Sequence, residues 1–440
     1  MKKHTQPPYK SSEISYKPSG IKWLGEIPQS WENVSIRSCF TESNQRCNTD
    51  SYPLLSVTIA NGIIYQDNIE NKKDISNDDK SNYKIVPLNA VAYNKMRMWQ
   101  GAVGVNTLTT GIVSPAYIVA IPNEKILPNF VSYLFKSKIM IGEFDKNSYG
   151  LCLDMNNLRY DDFRNIKIPL PPLQEQKEIA EFLDKKCEKI QNYIDKKQKL
   201  ITLLQEKKQA LINEVVTKGL NPNIEFKNSE IAYLGLIPHH WEVKKLKYLA
   251  TLRNQKSNDS DFKVGLENIE SQTGKYISTN EVVFEDSGIY FYKNDILFGK
   301  LRPYLAKVFL ADREGVCVSE FLVLTPKKQC GNFLKFLMLS PLFISVVDGS
   351  TYGSKMPRAS WEFIGNLKIP LPPLHEQKEI AEFLDSKVAQ IDSVIEKTKK
   401  QIELIKEYKN TLINEAVCGR VACSRDFSPF SKAQNDKKKN

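Results

Sequence analysis

Hydrophobic positions follow two rhythms along this chain, and each rhythm occurs twice. In residues 18–172 and 228–373, short apolar runs are separated by turn residues, which is typical of short strands. Residues 174–218 and 375–418 contain neither Gly nor Pro, and their apolar residues recur at alternating steps of four and three, which predicts long helices. The first helix, with 45 residues, is expected to be roughly 68 Å long. The apolar runs taken as strands include 54–60, 90–93, 112–121, 296–298 and 316–325.

The apolar stripe of each helix forms a heptad seam. Eight of ten seam positions are apolar in both helices, and the polar exceptions fall at equivalent places, Lys197 with Thr398 and Lys208 with Lys409. Polar seam residues often fix the register of a coiled coil. Besides Cys187 and Val215 in the first helix and Val388 and Ala416 in the second, the predicted apolar seam residues are Leu183, Ile190, Ile194, Ile201, Leu204 and Leu211 in the first helix, and Leu384, Ile391, Ile395, Ile402, Ile405 and Leu412 in the second.

A long helix with one narrow apolar stripe would leave that stripe in water unless a partner covers it. The simplest partner for the first helix is the second. The first helix leads away from the first domain and the second helix begins at the second domain, so the two are expected to run antiparallel. The alternative, in which each helix packs only on its own domain, remains open at this point.

The chain contains an internal duplication. Residues 165–184 and 366–385 differ at only two positions, at an offset of 201, and residues 21–32 match residues 231–242 at an offset of 210. This period is far too long for a solenoid, so the chain is a duplicated domain pair. The predicted parts are an arm (1–17), domain 1 (18–172), a helix (173–218), a linker (219–227), domain 2 (228–373), a second helix (374–418) and a basic tail (419–440).

Proline-rich segments separate each domain from its helix. Residues 169–172 and 370–373 both read Pro-Leu-Pro-Pro. Because proline fixes φ and lacks a backbone N–H, these segments are expected to stop strand pairing before the helix starts. The predicted fold class is therefore α+β (mixed), with two β-rich domains separated by a long antiparallel two-helix coiled coil.

Composition excludes some classes of protein without choosing a partner. The chain has 440 residues, of which 41% are hydrophobic and 26% charged, an ordinary balance for a globular protein. Its net charge is +11, but residues 1–17 carry +3 and residues 419–440 carry +4, so the charge of the domains is modest. No apolar run approaches the roughly 20 residues of a membrane span. The eight cysteines form no CxxC pair, and a cytoplasmic location with no membrane association is expected.

Motifs for catalysis are missing from the sequence. It has no GxxxxGK[ST] phosphate loop and no Pro-Asp dipeptide. The tetrapeptide at 6–9, Gln-Pro-Pro-Tyr, lacks the Asn or Asp with which amino-methyltransferases accept from their target amino group. None of the four histidines lies at zinc-site spacing from a cysteine. No catalytic residue and no metal site are therefore predicted.

The duplicated motifs are similar to those of a known family. The two KIPLPPL-x-EQKEIAEFLD segments, the long helices after them and the SGIKWLGEIPQSW opening resemble the specificity subunit of Type I DNA restriction–modification complexes, over residues 13–418. The resemblance implies that each domain reads one half of a bipartite, asymmetric site in double-stranded DNA. It also implies that the helices act as a spacer and dock two methyltransferase subunits, and that motor/nuclease subunits join for restriction. This subunit would be non-catalytic, with S-adenosylmethionine, ATP and Mg²⁺ held by the partner subunits only.

Candidate DNA contacts follow from aligning the two domains. An offset of 205 places a Lys-x-Arg triplet after a strand in both copies, Lys95 with Arg97 and Lys300 with Arg302. Arginine can read guanine with two hydrogen bonds, and lysine can neutralise phosphate. A solvated hairpin tip would carry the same residue types. Further candidates in the same loops or in the second loops at 147–150 and 350–358 are Trp99, Tyr304, Tyr149, Tyr352, Lys355 and Arg358, and other basic residues of the domains are Arg46, Lys84, Arg253 and Lys256.

Two other classes of function remain open from the residues alone. One is a coiled-coil adaptor that bridges partners through two peptide-binding domains. The other is an enzyme, a fused methyltransferase or nuclease, which the missing motifs disfavour.

Overall fold

The structure is a computed structural model that describes residues 15–47, 52–69, 80–150, 156–257, 260–279, 288–351, 353 and 355–421. The chain divides into two compact units. Unit 1 comprises residues 1–195 and 401–440, and unit 2 comprises residues 196–400. Each unit combines a β-rich domain with two stretches of long helix, so the predicted mixed fold with long helices is confirmed.

Unit 1 is built on a four-stranded antiparallel sheet with the order β4-β11-β8-β9. Its strands have three to six residues, as the short apolar runs predicted. The strands are β1 (Tyr16–Pro18), β2 (Glu26–Pro28), β3 (Glu32–Ser35), β4 (Phe40–Ser43), β5 (Leu55–Thr58), β6 (Gly62–Tyr65), β7 (Lys84–Val86), β8 (Val91–Asn94), β9 (Val103–Val105), β10 (Gly111–Val113), β11 (Tyr117–Pro122) and β12 (Lys167–Leu170).

Three short helices that the pattern did not predict cover this sheet: α1 (Pro128–Lys136), α2 (Lys138–Lys146) and α3 (Tyr160–Phe163). Ser137 caps α2, since its hydroxyl oxygen accepts from the backbone N–H of Met140 at 3.3 Å. Phe135 lies 5.6 Å from both the Phe40 and the Phe144 ring centroids. The aromatic side chains of these helices therefore form much of the core of unit 1.

Unit 2 repeats the main sheet of unit 1. Its four-stranded antiparallel sheet has the order β16-β23-β20-β21, the counterpart of the sheet in unit 1. Along the chain, the long helix α4 (Leu173–Lys218) follows the last strand of unit 1 and precedes the first strand of unit 2. The strands are β13 (Phe226–Asn228), β14 (Leu236–Pro238), β15 (Glu242–Lys245), β16 (Ala250–Arg253), β17 (Lys256–Ser257), β18 (Lys263–Val264), β19 (Gly288–Phe291), β20 (Ile296–Gly299), β21 (Val308–Leu310), β22 (Gly315–Cys317), β23 (Phe321–Pro326) and β24 (Lys368–Leu371). The helices are α5 (Gly331–Leu339), α6 (Pro341–Asp348), α7 (Trp361–Asn366) and the long α8 (Leu374–Val417).

Two expectations about the strands need correction. The runs 112–121 and 316–325 are each two strands separated by a turn; in unit 1 the Tyr117 N–H donates to the Ser114 carbonyl at 3.0 Å. The proline segments stop pairing later than expected: Pro169 lies within β12 and pairs with Asn33 of β3, and the pairing ends at Leu170, before α4 begins at Leu173. This pairing is tolerated because β12 and β3 form a two-stranded sheet, in which a residue without an N–H can face away from the partner strand.

In unit 2, the end of α4 and the beginning of α8 run antiparallel. Ile212 and Val215 share a buried cluster with Ile380 and Leu384. Earlier in α4 and later in α8, the Lys208 ammonium donates to Asp392 at 2.8 Å. Residues further back along α4 contact residues further forward along α8, so the two helices are antiparallel here, as predicted.

The same antiparallel pairing occurs in unit 1. Near the beginning of α4, the Glu175 carboxylate accepts from the Trp31 indole at 2.7 Å, and a Cβ on Gly419, just after α8, would lie 3.1 Å from the same ring. Further along α4, the positive charge of Lys409 acts on the Cys187 thiol, although burial dominates and raises the pKa of that thiol.

Burial along the seam follows the heptad prediction for most positions. Leu183, Ile190, Ile194, Ile201, Leu384, Ile395, Ile402 and Leu412 are buried, whereas Leu204, Leu211, Ile391 and Ile405 are half-buried. The polar exceptions Lys208 and Thr398 are buried as well, at 5% and 4% exposure. The seam is therefore narrow, and two of its four polar positions, Lys208 and Thr398, are packed within unit 2, whereas Lys197 and Lys409 are half-buried.

Each domain is joined to its long helix by the same bonds. Trp241 donates to Glu376 at 2.9 Å, as Trp31 does to Glu175. The buried side chains of Gln176 and Gln377 each accept a backbone N–H of the domain and donate to the proline segment. These contacts are a structural reason for the copied Glu-Gln pair at the beginning of both helices.

Candidate nucleic-acid interface

The two Lys-x-Arg triplets occupy equivalent places in the two units. In unit 1, β8 ends at Asn94 and residues 95–97 turn into a short 3₁₀ segment before β9. In unit 2, β20 ends at Gly299 and residues 300–302 likewise lead into a short 3₁₀ segment before β21. We call residues 95–97 and 300–302 the Lys-Arg loops. The predicted strand-to-loop context of both triplets is thus observed.

A second segment of each domain bonds to the Lys-Arg loop. The Lys95 carbonyl oxygen accepts from the Leu158 N–H at 2.8 Å, and the Lys300 carbonyl oxygen accepts from the Ala359 N–H at 2.9 Å. Leu158 and Ala359 follow the second predicted loops. The structure therefore brings each Lys-Arg loop against the segment that follows the second predicted loop, although the bonded residues are 63 and 59 positions apart in sequence.

The Lys-Arg loop of unit 2 has a constrained backbone. Arg302 has φ 51° and Ala306 has φ 47°, in the left-handed region that side-chain-bearing residues seldom adopt. Arg302 is held there by its N–H, which donates to the Pro357 carbonyl at 2.8 Å. Strain of this kind persists only where surrounding contacts impose it, and it clusters at functional sites.

The side chains of both loops are accessible. Arg97, Arg302 and Lys355 are exposed, and Lys95 and Lys300 are half-buried. Among the described residues, none of these five forms an ion pair. Their cationic groups are therefore available to a ligand. Exposed aromatic and apolar side chains accompany them in the same loops: Tyr149 at 67%, Met356 at 48%, Tyr304 at 46% and Met96 at 46% exposure.

Positive charge gathers around the Lys-Arg loop of unit 1. Burial lowers the pKa of Lys84; Glu42 opposes the shift, and the charges of Lys95 and Arg46 add to it. Arg46 and Lys84 are also paired as a β-bridge. Three of the basic residues singled out from the sequence therefore lie near one another.

Other candidates have structural partners or cannot be placed. Arg358 makes an ion pair with Glu320, at 2.9 Å from Nη2 to Oε1. Arg253 bonds to Asp295 at 3.0 Å and lies 4.5 Å from the centroid of the Tyr292 ring. Lys256 is exposed in β17. Tyr352 lies outside the described residues. The guanidinium groups of Arg253 and Arg358 are thus occupied within the protein, which the sequence did not indicate.

Two lysines that sequence reasoning missed anchor the backbone near the loops. The Lys136 ammonium donates to the carbonyl oxygens of Ile59 at 2.7 Å, Gly101 at 3.0 Å and Thr58 at 3.2 Å. Burial lowers the pKa of Lys136 to about 8. In unit 2, Lys307 donates to two carbonyl oxygens, and burial lowers its pKa as well. Nothing in the pattern distinguished these lysines from surface ones.

The described residues contain no group of three or more His, Cys, Asp or Glu side chains arranged to hold a metal ion. In the same part of the chain, no single helix has the length and hydropathy to cross a membrane. One bent pair, α5 with α6, meets that test jointly, but many of its apolar residues belong to the core of unit 2.

A family model described as the type I restriction modification DNA specificity domain matches residues 28–203 and 238–404. The chain belongs to the type I specificity family. The family domain thus occurs twice in this specificity chain, once for each copy of the internal duplication, and each match includes a Lys-Arg loop.

Relatives of this specificity chain are similar along much of their length. A putative type I restriction enzyme MjaX specificity subunit of Methanocaldococcus jannaschii is 26% identical over 433 residues, which cover 90% of this chain and 95% of the relative. The type I restriction enzyme MjaVIII specificity subunit of the same organism is 31% identical over 335 residues, 71% of this chain and 74% of the relative.

Solved structures share the fold of this specificity chain. One is described as the structural basis of complex assembly and conformational transition of the type I R-M system. It has a TM-score of 0.67 at 15% identity, and the match covers 90% of this chain and 99% of that chain. The HsdS subunit from Thermoanaerobacter tengcongensis has a TM-score of 0.52 at 17% identity, with 90% and 98% covered. The architecture is thus shared, whereas few of the side chains are.

Proposed function

We propose that this chain is the DNA sequence-specificity subunit of a type I restriction–modification complex, in which each domain reads one half of a bipartite, asymmetric DNA site. The observation that carries the proposal is the pair of equivalent, exposed Lys-Arg loops within two copies of the specificity domain. Exposed arginines on a rigid loop suit bidentate recognition of guanine, and the neighbouring lysines suit phosphate.

The asymmetry of the proposed site follows from differences between the loops. The loop of unit 1 carries Met96 and Trp99 where unit 2 has Leu301 and Tyr304. Arg302 has a left-handed backbone, whereas Arg97 has φ −131°. Two loops with different side chains and different backbones present different surfaces to DNA. We therefore propose two different half-sites instead of a palindrome.

We propose that the beginnings of α4 and α8 dock two methyltransferase subunits, one each. Support comes from residues that are identical in the two copies and exposed in both, so that burial gives no reason for their identity: Lys177 and Lys378, Glu178 and Glu379, Glu181 and Glu382. A duplicated exposed surface is suited to two equivalent partners. The seam between these regions would then set the spacing of the half-sites, since a paired helix is stiffer than a loop.

Catalysis is assigned to the partner subunits in this proposal. S-adenosylmethionine would be bound by the methyltransferase subunits, and ATP with Mg²⁺ by motor/nuclease subunits that join for restriction. The missing phosphate-loop motif supports this division of labour. The isolated chain is then expected to transfer no methyl group from S-adenosylmethionine to DNA. An adaptor that binds peptides finds no support in the family match.

The test is methylome sequencing of cells that express the methyltransferase subunits with and without this chain. We expect one bipartite, asymmetric motif to be methylated only when the chain is present. The matched control is the chain with Arg97→Ala and Arg302→Ala, which should lose the motif while still assembling with the methyltransferase. An unchanged methylome in the presence of the wild-type chain would contradict the proposal and return attention to an adaptor role.

A further inference from the structure

We infer that Glu320 and Arg358 form a positioning pair that holds the Lys-Arg loop of unit 2 in its reading conformation, and that Arg358 itself does not contact DNA. This inference rests on the proposed function. It assigns the half-site specificity of domain 2 partly to an acidic residue that DNA would otherwise repel.

The pair joins the segments on both sides of the loop. Arg358 Nε donates to both carboxylate oxygens of Glu320 at 3.2 Å, and Nη2 donates to Oε1 at 2.9 Å. The backbone of Glu320 accepts the Lys300 N–H at 2.9 Å. Arg358 is itself paired with Leu301 as a β-bridge. One ion pair therefore connects Glu320, the turn residue just before β23, with the returning segment at Arg358, and both residues are bonded to the loop.

The backbone that the pair surrounds needs such support. Arg302 lies in the left-handed region, which is unfavourable for a residue with a side chain. Its N–H donates to Pro357, the residue before Arg358, and Ala359, the residue after, donates to Lys300. Displacement of Arg358 would loosen both bonds. The geometry of bidentate recognition depends on a fixed backbone, so discrimination between bases would fall.

Unit 1 provides an internal contrast. Ala116 stands where unit 2 has Glu320, and Asn157 stands where it has Arg358. The Asn157 backbone instead exchanges two hydrogen bonds with Tyr149, at 3.0 and 3.1 Å. The ion pair is thus specific to domain 2, and only the half-site read by domain 2 should depend on it.

Charge makes the test decisive. Glu320→Gln removes a negative charge from a residue whose backbone is bonded to Lys300 of the loop proposed to bind phosphate and bases. If Glu320 influenced DNA only through its charge, the variant would bind every duplex more tightly. If Glu320 positions the loop, the variant should bind the cognate duplex more weakly, because a neutral amide holds Arg358 less firmly than a carboxylate does.

The experiment uses the full chain assembled with its methyltransferase subunits and a duplex that carries the methylated motif. Dissociation constants are measured for the wild type, Glu320→Gln, Arg358→Gln and the charge swap Glu320→Arg with Arg358→Glu. We expect each single variant to weaken cognate binding about tenfold and to leave binding of a scrambled duplex and its salt dependence unchanged. The charge swap should recover most of the loss, which a direct DNA contact by Arg358 would not allow.

Controls separate the possible failures. A base change in the half-site read by domain 1, which carries Arg97, should weaken binding by the same factor in the wild type and in the variants. Cognate binding by Glu320→Gln that equals or exceeds the wild type would overturn the inference, as would a uniform loss for Arg358→Gln with a salt slope reduced by about one, the mark of a phosphate contact. If Glu320→Gln does not fold, the charge swap carries the test. A wild-type complex that does not distinguish cognate from scrambled duplex would count against the proposed function instead.

Discussion

Arg97 and Arg302 occupy equivalent positions but reach them by different backbones. Arg302 combines an exposed guanidinium with a left-handed φ of 51°, and its N–H is held by Pro357. A side chain on such a backbone has fewer accessible orientations than one on an open turn. Its contribution to recognition should therefore be confined to one position of the DNA site.

Arg302→Ala is expected to relax specificity at one base pair of one half-site, at a cost of about 1–3 kcal/mol in binding the cognate duplex, if Arg302 reads a guanine. Arg302→Lys is the matched variant, since it keeps the charge and the same backbone but loses the bidentate fork. Binding to a panel of single-base variants of the duplex measures both. Equal loss across the panel, with near-normal binding by Arg302→Lys, would mean a phosphate contact.

Lys136 anchors the backbone at Thr58 and Ile59 and at Gly101, which follows the Lys-Arg loop of unit 1. Replacing it by Met removes three donated hydrogen bonds and should lower the free energy of unfolding by about 1–3 kcal/mol at pH 7. The pKa of Lys136 is lowered from 10.5 to about 8. Between these values the unfolded chain binds more protons than the folded chain, so the stability contributed by Lys136 rises with pH.

The advantage of the wild type over Lys136→Met is therefore expected to be constant below about pH 8 and to grow from there towards pH 10.5. Urea unfolding of both proteins across this range measures the difference, in which all other titrating groups cancel. A shrinking advantage would show that the ammonium–carbonyl bonds outweigh the cost of burying the charge.

At the scale of elements, a buried polar group interrupts the apolar contacts between α4 and α8 in unit 2. The Asp392 carboxylate accepts from Lys208 at 2.8 Å and lies 2.6 Å from the ammonium of Lys275. Burial acts to raise the pKa of Asp392, but the bonds from the two lysines outweigh it and hold the pKa below its ordinary value. The pair fixes the register, since sliding either helix along the other would leave a buried charge without its partner.

Lys208→Met is expected to lower the free energy of unfolding by about 1–3 kcal/mol, less than for a fully orphaned buried charge because Lys275 remains. The matched control is Lys409→Met, at the equivalent position of α8. Position 191, which corresponds to Asp392, is an exposed Gln, so this change should cost less than about 1 kcal/mol. Urea midpoints of the two variants make the comparison, and equal losses would remove the register role from Asp392.

The helices were predictable from sequence, because a stretch without Gly or Pro that carries a heptad seam extends over more than forty residues in both copies. Their antiparallel pairing was predictable from the order of domains and helices along the chain. The α1–α3 and α5–α7 helices were not, since each has only four to nine residues and its apolar faces are shaped by tertiary contacts. The Lys-x-Arg triplets were found by alignment of the repeats. The pairing of Arg358 with Glu320 was not found from the sequence, because the two residues are 38 positions apart and are brought together only by the folded sheet.

At the scale of the whole molecule, two units with the same main sheet carry different loops. Residues copied between the repeats lie at the joints of domain and helix, such as the bonds of Trp31 to Glu175 and of Trp241 to Glu376. Residues that differ lie between those joints. The joints that are identical in the two repeats and the loops that differ are thus separate along the chain and in the structure.

Replacing residues 33–164 by the corresponding segment of a family member with another target should change one half of the methylated motif and leave the other half and the spacing as before. The copied joints remain in place, so the exchanged domain should dock on α4 in the native way. Methylome sequencing of cells with the exchanged chain reads the result. A change in both halves, or in neither, would show that the domains do not read independently.

The bonds from Leu158 to Lys95 and from Ala359 to Lys300 also bear on how new specificities arise. Each reading surface is assembled from two stretches of gene some sixty codons apart. A recombination breakpoint between them would therefore combine a Lys-Arg loop from one parent gene with the bonded segment from another parent gene. Crossovers in the near-identical flanks, in contrast, transfer both stretches together. We expect variation in this lineage to be inherited as whole blocks, with ancestry changing at the flanks and seldom inside.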